Sequence, residues 1–175
     1  MKNNIILIGF MGCGKTSIGT RLAKKLSYTF LDTDALIIEK AGRTISEIFE
    51  SDGEEYFRNL ETDILKELNV KTDRAVISTG GGMPMREENK ELLRSLGHVI
   101  FLDASKDAIL KRVEGDTKRP LLAYENKEER IQELLSIRLP FYKSCAHTVI
   151  DTSDKSFYDV INEIEQCMDN SFKVV

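Results

Sequence analysis

Residues 5–16 read Ile5-Ile6-Leu7-Ile8-Gly9-Phe10-Met11-Gly12-Cys13-Gly14-Lys15-Thr16. The run Ile5 to Ile8 has the length and composition of a buried strand. From Gly9 to Thr16 the chain matches G-x-x-x-x-G-K-[ST] at every fixed position. Beyond it, Ile18, Leu22, Ala23 and Leu26 recur at helical spacing. Strand, glycine loop and helix together form the context this motif requires. Glycines let successive backbone N–H groups wrap around phosphate oxygens, and the helix N-terminus adds partial positive charge. The predicted ligand is a nucleoside triphosphate, ATP with magnesium. Contacts are expected from Gly12, Cys13, Gly14, Lys15, Thr16 and Ser17. Lys15 supplies a full charge to the β- and γ-phosphates, and Thr16 offers its hydroxyl to Mg2+. Cys13 occupies a variable slot and reads as filler rather than nucleophile.

Outward from this loop, short apolar runs alternate with helical patterns. Strands are predicted at Ile5–Gly9, Tyr28–Leu31, Ala75–Ser78, Val99–Leu102 and Thr148–Ile150. A helix opens at Asp34–Lys40. Thr44 with Glu47 is a capping box that starts a short helix through Phe49. A longer helix, about Gly53 to Asn69, carries Phe57, Leu60, Ile64 and Leu68 on one face. Leu92, Leu93 and Leu96 mark another, and Ser105 caps one carrying Ile109, Leu110 and Val113. Asn126 and Glu129 form a cap signal before Ile131, Leu134 and Leu135; Pro140 is expected to kink or break that helix. Val160, Ile161 and Ile164 lie on a final helix. Residues Gly115 to Tyr124 have no periodicity, and the tail Asp169–Val175 has no usable pattern. Strands alternating with helices imply a parallel five-stranded sheet with helices on both faces, in one domain spanning 1–175. In such sheets ligands sit beyond the carboxyl ends of the strands.

With 175 residues, 41% hydrophobic and 31% charged, the chain suits one globular domain with a sizeable core. The net charge of −4 offers no basic field for nucleic acid or anionic lipid. The apolar run Ile5–Ile8 is too short for a signal segment or a membrane span. Three widely spaced cysteines, Cys13, Cys145 and Cys167, form neither a disulfide framework nor a zinc pattern, which points to a reducing cytoplasm. With only His98 and His147 as histidines, a His/Cys metal site is not expected. A switch GTPase needs D-x-x-G, which is absent, and N-K-x-D, for which Asn126-Lys127-Glu128-Glu129 lacks the final Asp. A small-molecule or nucleotide kinase remains.

Several further motifs occur in order: Asp32-Thr33-Asp34, Phe49, Asp52-Gly53-Glu54, Phe57-Arg58 with Glu61, Gly80-Gly81-Gly82, Arg119-Pro120-Leu121-Leu122, and Arg138-x-Pro140-x-Tyr142. With the phosphate loop, these make the chain resemble the shikimate kinase family over nearly its whole length. The resemblance implies a nucleoside-monophosphate-kinase-like P-loop fold, a three-layer α/β/α sandwich with a lid. The implied reaction is ATP-dependent phosphorylation of the 3-hydroxyl of shikimate, giving shikimate 3-phosphate and ADP on the route to chorismate. It puts substrate binding in about residues 34–62 and the lid at about 114–124.

The resemblance also implies residue roles. Asp32 lies near the magnesium, and Asp34 bonds ring hydroxyls and accepts the proton of the attacking one. Two residues apart in an extended segment, their side chains point to one side; helix capping is the competing role. Asp103, ending Val99–Leu102, is a rival for the metal. Arg58 and Arg138 clamp the substrate carboxylate, a task suited to guanidinium. For Arg58, a surface pair with Glu54 or Glu61 is the ordinary alternative, and for Arg138 a solvated helix position. Glu61 orients Arg58, while Phe49 and Phe57 wall the ring. Gly80, Gly81 and Gly82 lie against the substrate, with Ser78 near the magnesium waters. Arg119 reaches over the phosphates from the lid, and Arg112 lies along the nucleotide. Where the family often places a polar adenine contact after Asp151-Thr152, this chain reads Ser153-Asp154-Lys155, leaving Lys155 for that contact. The competing functions are a gluconate kinase, a nucleoside monophosphate kinase and a non-catalytic ATP-sensing module. The acidic balance and absence of heptads make a monomer the default.

Overall fold

The computed structural model describes residues 2–113 and 126–172. Five strands form one parallel sheet: β1 (Ile5–Ile8), β2 (Thr29–Asp32), β3 (Ala75–Ser78), β4 (His98–Asp103) and β5 (Thr148–Asp151), in spatial order β2-β3-β1-β4-β5. Every residue of β1 and β3 is buried, as suits central strands covered on both faces; only Ser78 of these eight is polar. Each buried Val, Ile or Leu side chain among them contributes roughly 1.5–3 kcal/mol by its removal from water. The outer strands are amphipathic; Val149 of β5 remains about half exposed.

Seven helices cover the sheet among the described residues: α1 (Lys15–Leu26), α2 (Thr33–Ala41), α3 (Ile45–Lys71), α4 (Glu87–Leu96), α5 (Lys106–Val113), α6 (Lys127–Cys145) and α7 (Phe157–Phe172). Right-handed crossovers fix their sides. The chain moves outward from β1 to β2 through α1, then turns back through β3 and β4 to β5. Thus α1 and α7 pack together on one face, while α3, α4 and α6 pack in sequence on the other. The direction reverses beside β1, so the loops after β1 and β3 diverge and leave a crevice at the strands' carboxyl ends. Register makes those ends level: Leu7 and Asp32 both pair with Ser78.

Boundaries differ little from expectation, with informative exceptions. The Thr44 capping box forms, and Gly53, with φ 83°, kinks α3 between the two helices the pattern separated. Ser105 caps α5, its Oγ accepting from Ala108 N at 3.2 Å. Asn126 does not cap α6 through its side chain; its amide instead donates to Glu129 Oε2 at 3.3 Å. Pro140 does not break α6, which continues to Cys145. Buried Leu134, Tyr142 and Cys145 on either side of Pro140 hold the helix against the core and outweigh the lost rung. A 3₁₀ turn, Met83–Met85, not anticipated from the sequence, follows the glycine run. No helix among the described residues is long and apolar enough to cross a membrane.

Candidate active site

The loop after β1 is shaped by backbone conformations that favour glycine. Gly9 has φ 146°, and a β-carbon there would lie 2.6 Å from the Leu102 carbonyl oxygen. Gly14, at φ 101°, is the left-handed N-cap of α1, so the first turn of that helix opens into the loop. Lys15 Nζ crosses the loop and donates to the carbonyls of Gly9 at 2.8 Å and Phe10 at 3.0 Å. The Cys13 side chain is buried beneath, which agrees with a filler role.

Arg112, at the end of α5, donates to Thr152 Oγ1 at 3.2 Å and to the Ser153 carbonyl at 3.2 Å. It also bonds the Thr152 carbonyl and reaches the Gly12 carbonyl at 3.5 Å. Thr152, buried and without a predicted role, lies 3.3 Å from the Cys13 carbonyl. Arg112 therefore joins the glycine loop to the segment after β5. Lys155, predicted as an adenine contact, is ion-paired with Glu163 on α7.

Asp32 and Asp34 do not share one extended segment. Asp32 is extended, but α2 begins at Thr33, so Asp34 sits in the first helical turn. The extended-segment argument for their direction therefore does not hold. Asp32 is also the N-cap: its Oδ1 accepts from Asp34 N at 3.1 Å and Ala35 N at 3.4 Å. Its other oxygen accepts from Thr16 Oγ1 at 3.3 Å. Asp103 instead accepts from Ala104 N at 2.9 Å, in register with Asp151. Burial raises its carboxyl above the usual range and Asp151 adds to this, against the Ala104 N–H. The carboxylate beside Thr16 is that of Asp32. Ser78 is buried between Asp32 and Leu7 in the sheet register.

The three glycines after β3 gather the remaining polar groups. A β-carbon on Gly80 would fall 2.7 Å from Asp34 Oδ1 and 3.0 Å from Glu61 Oε1. On Gly81 it would lie 3.5 Å from Arg138 Nη1, 3.5 Å from the Gly9 carbonyl oxygen and 3.7 Å from Tyr142 Oη. On Gly82 it would strike Arg58 Nη1 at 2.3 Å. Side chains from α2, α3 and α6 thus converge on three consecutive residues lacking side chains, opposite the start of the phosphate loop. Thr33 Oγ1 accepts the Gly80 N–H at 3.0 Å and pins this run to α2. Tyr142 Oη donates to the Gly81 carbonyl at 2.6 Å, and burial raises its phenol well above its ordinary pKa. In the sequence Tyr142 stands in the motif Arg138-x-Pro140-x-Tyr142, whose four-residue spacing puts both side chains on one helix face.

Arg58 makes both helix pairs that its sequence allows: Nη1 to Glu61 at 2.7 Å and Nη2 to Glu54 at 3.0 Å. The two pairs differ in kind, since Glu54 is exposed and the Glu61 side chain is only 1% exposed. Burial raises the Glu61 carboxyl and the nearby Asp34 raises it further, while Arg58 lowers it. Phe57 is buried and Phe49 exposed, with ring centroids 4.8 Å apart. The Arg58 guanidinium lies 5.4 Å from the Phe57 ring centroid. Arg138 stands 5.7 Å from the Phe10 ring, so it is not a solvated surface residue. The predicted lid, 114–124, and Arg119 lie outside the described residues.

In chemical terms, one loop presents backbone amides and an ammonium suited to polyphosphate. Facing it, two guanidinium groups suit a carboxylate, and Asp34 can accept a hydroxyl proton. Known proteins resemble this chain along most of its length. A sequence model of the shikimate kinase family matches residues 11–169. A shikimate kinase of Enterococcus faecalis is 48% identical over 165 residues, covering 93% of this chain and 96% of the relative. One from Geobacter sulfurreducens is 46% identical over 161 residues, covering 92% and 88% respectively. The solved structure of shikimate kinase from Acinetobacter baumannii in complex with shikimate superposes with a TM-score of 0.91 at 40% identity. That match covers 100% of this chain and 97% of the other.

Proposed function

From the premise that the chain belongs to the shikimate kinase family, we propose how its own residues carry the family's reaction. The enzyme transfers the γ-phosphoryl group of ATP to the 3-hydroxyl of shikimate, giving shikimate 3-phosphate and ADP. The observation that carries the residue assignment is the convergence of Asp34, Arg58 and Arg138 on Gly80–Gly82.

Arg58 and Arg138 hold the shikimate carboxylate by charge-assisted hydrogen bonds. Glu61 fixes the direction of Arg58, and Phe49 with Phe57 borders the ring. The glycine run lets the ring approach the backbone. Asp34 orients the 3-hydroxyl and takes its proton as the oxygen attacks the γ-phosphorus. The bond to the β–γ bridging oxygen breaks and ADP leaves. Phosphoryl transfer passes through a loose transition state, so positioning and charge neutralisation dominate over strong base catalysis.

On the nucleotide side, amides of Gly12–Ser17 line the phosphates, and Lys15 exchanges its carbonyl partners for phosphate oxygens. Arg112 borders the nucleotide. Lys155 would reach the base only by leaving Glu163. Arg119 and the lid segment 114–124 complete this assignment through the family pattern, with Arg119 opposing charge on the transferred group. Residues 34–62 form the substrate region.

A divalent cation fits the Thr16–Asp32 corner. A hydroxyl and a carboxylate stand 3.3 Å apart, and both are the hard oxygen donors Mg2+ takes. No group of three or more His, Cys, Asp or Glu that could hold a metal occurs among the described residues, as suits an ion that keeps water and phosphate ligands. Thr16 and Asp32 would hold it, Asp32 through water. When bound, Mg2+ neutralises phosphate charge. The enzyme acts as a monomer in the cytoplasm, without nucleic acid.

A coupled ADP-release assay with shikimate, gluconate and nucleoside monophosphates as acceptors tests the assignment. ADP release should depend on shikimate alone. Equal release with gluconate would overturn the acceptor assignment.

A further inference from the structure

Among the buried polar side chains outside the groups assigned above, two face each other near Arg58. Thr62 is on α3, one turn beyond Arg58, and Asn89 is on α4; their exposures are 4% and 0%. Buried polar groups destabilise a fold unless they are hydrogen-bonded, so their partners matter. Thr62 Oγ1 donates to Asn89 Oδ1 at 2.7 Å and stands 3.1 Å from the Arg58 carbonyl oxygen. Asn89 Nδ2 donates to the Met83 carbonyl at 3.0 Å.

Met83 directly follows Gly82, against which the Arg58 guanidinium packs. One side of the Arg58 seat is therefore the turn at Gly82-Met83, and the other is α3 with Glu61. Asn89 is bonded to both. Apolar residues at 62 and 89 could fill the same space, but dispersion contacts leave the two elements free to slide by fractions of an ångström. Directional hydrogen bonds in a buried network do not.

We propose that Thr62 and Asn89 are positioning residues for carboxylate recognition, holding the glycine turn at a fixed distance from the helix that presents Arg58. The proposal rests on the assignment of Arg58 as a carboxylate clamp, and deepens it. It links a buried pair on the α3–α4 interface to the affinity for one substrate and not the other.

The test measures kcat and both KM values for Thr62→Val, Thr62→Ser and Asn89→Leu, with Arg58→Ala as reference. Thr62→Val keeps the shape and removes the hydroxyl. It should raise KM for shikimate about fivefold, the size of one lost hydrogen bond. KM for ATP and kcat should stay within about twofold, since ATP lies across the crevice from this interface. Thr62→Ser restores the donor and should return KM for shikimate to near the wild-type value. Asn89→Leu severs both bonds and should exceed Thr62→Val; should it fail to fold, the Thr62 pair still decides.

An unchanged shikimate KM in Thr62→Val, beside a raised one in Arg58→Ala, overturns this proposal alone. A rise in both KM values without rescue by serine also overturns it, because that marks general loosening. If Arg58→Ala itself leaves shikimate KM unchanged, the clamp assignment falls and takes this inference with it.

Discussion

Gly82→Ala adds one methyl group to the centre of the site. Gly82 has φ −93° and ψ −11°, a backbone conformation open to alanine. The backbone is therefore unstrained, and the smaller entropy of the unfolded chain would favour the variant by about 0.4–1 kcal/mol. The methyl carbon meets the Arg58 guanidinium: 2.3 Å from Nη1, and 2.7 Å from both Cζ and Nη2. Ordinary contact begins near 3.4 Å, so the guanidinium must retreat by roughly 1 Å, a displacement that can cost on the order of 100-fold in a positioned site. It can retreat, being the end of a flexible side chain, and its 2.7 Å bond to Glu61 must readjust with it. The melting temperature should therefore hold or rise while KM for shikimate rises about 10- to 100-fold, with KM for ATP unchanged. Arg58→Ala is the comparison, and it should raise KM for shikimate at least as much while leaving KM for ATP unchanged. Thermal melts and steady-state kinetics with both substrates check the pair. A wild-type shikimate KM in Gly82→Ala, beside a raised one in Arg58→Ala, would refute the packing of Arg58 on the glycine run as the basis of acceptor binding.

Asp34→Asn keeps the size of the side chain and removes its capacity to take a proton. It should lower kcat by about 10²–10⁴-fold with the shikimate KM changed little; near-normal turnover would show that Asp34 is not the proton acceptor. A different part of the molecule governs stability in weak acid. Burial lowers the pKa of both His98 and His147, and Arg94 and His98 lower that of His147 further. His147 Nδ1 accepts the Val99 N–H at 2.9 Å, which requires that nitrogen to be unprotonated. Since both folded-state values lie below the unfolded value near 6.5, the unfolded chain binds more protons as pH drops through that value. Stability present above it is lost below it. The melting temperature should fall between pH 7.5 and 5.5, less steeply in His147→Asn, whose side-chain oxygen can still accept from Val99. An identical slope in the variant would assign the effect to other groups.

The fold was legible because its signals are local. The run Ile5–Ile8 and the spacing of Ile18, Leu22 and Ala23 mark elements whose burial depends on their own periodicity. Boundaries slipped where a single residue serves two elements, as Asp32 does by ending β2 and capping α2. The outcome at Pro140 was illegible for another reason: the cost of one missing helical hydrogen bond is local, but Tyr142 and Cys145, which offset it, are buried by distant parts of the chain.

By itself the sequence determined the phosphate loop, the alternating architecture and the set of residues that could bind an acid. Those follow from backbone conformations and charges carried by neighbouring residues. Long-range packing was needed to show that Asp32 rather than Asp103 faces Thr16, that Asp34 already lies in the first turn of α2, and that Arg58, Arg138 and Asp34 meet on three glycines. Each depends on strand order and on helices far apart in sequence being brought to one sheet edge. Strand register and helix packing across the sheet set those distances, and no local pattern records them.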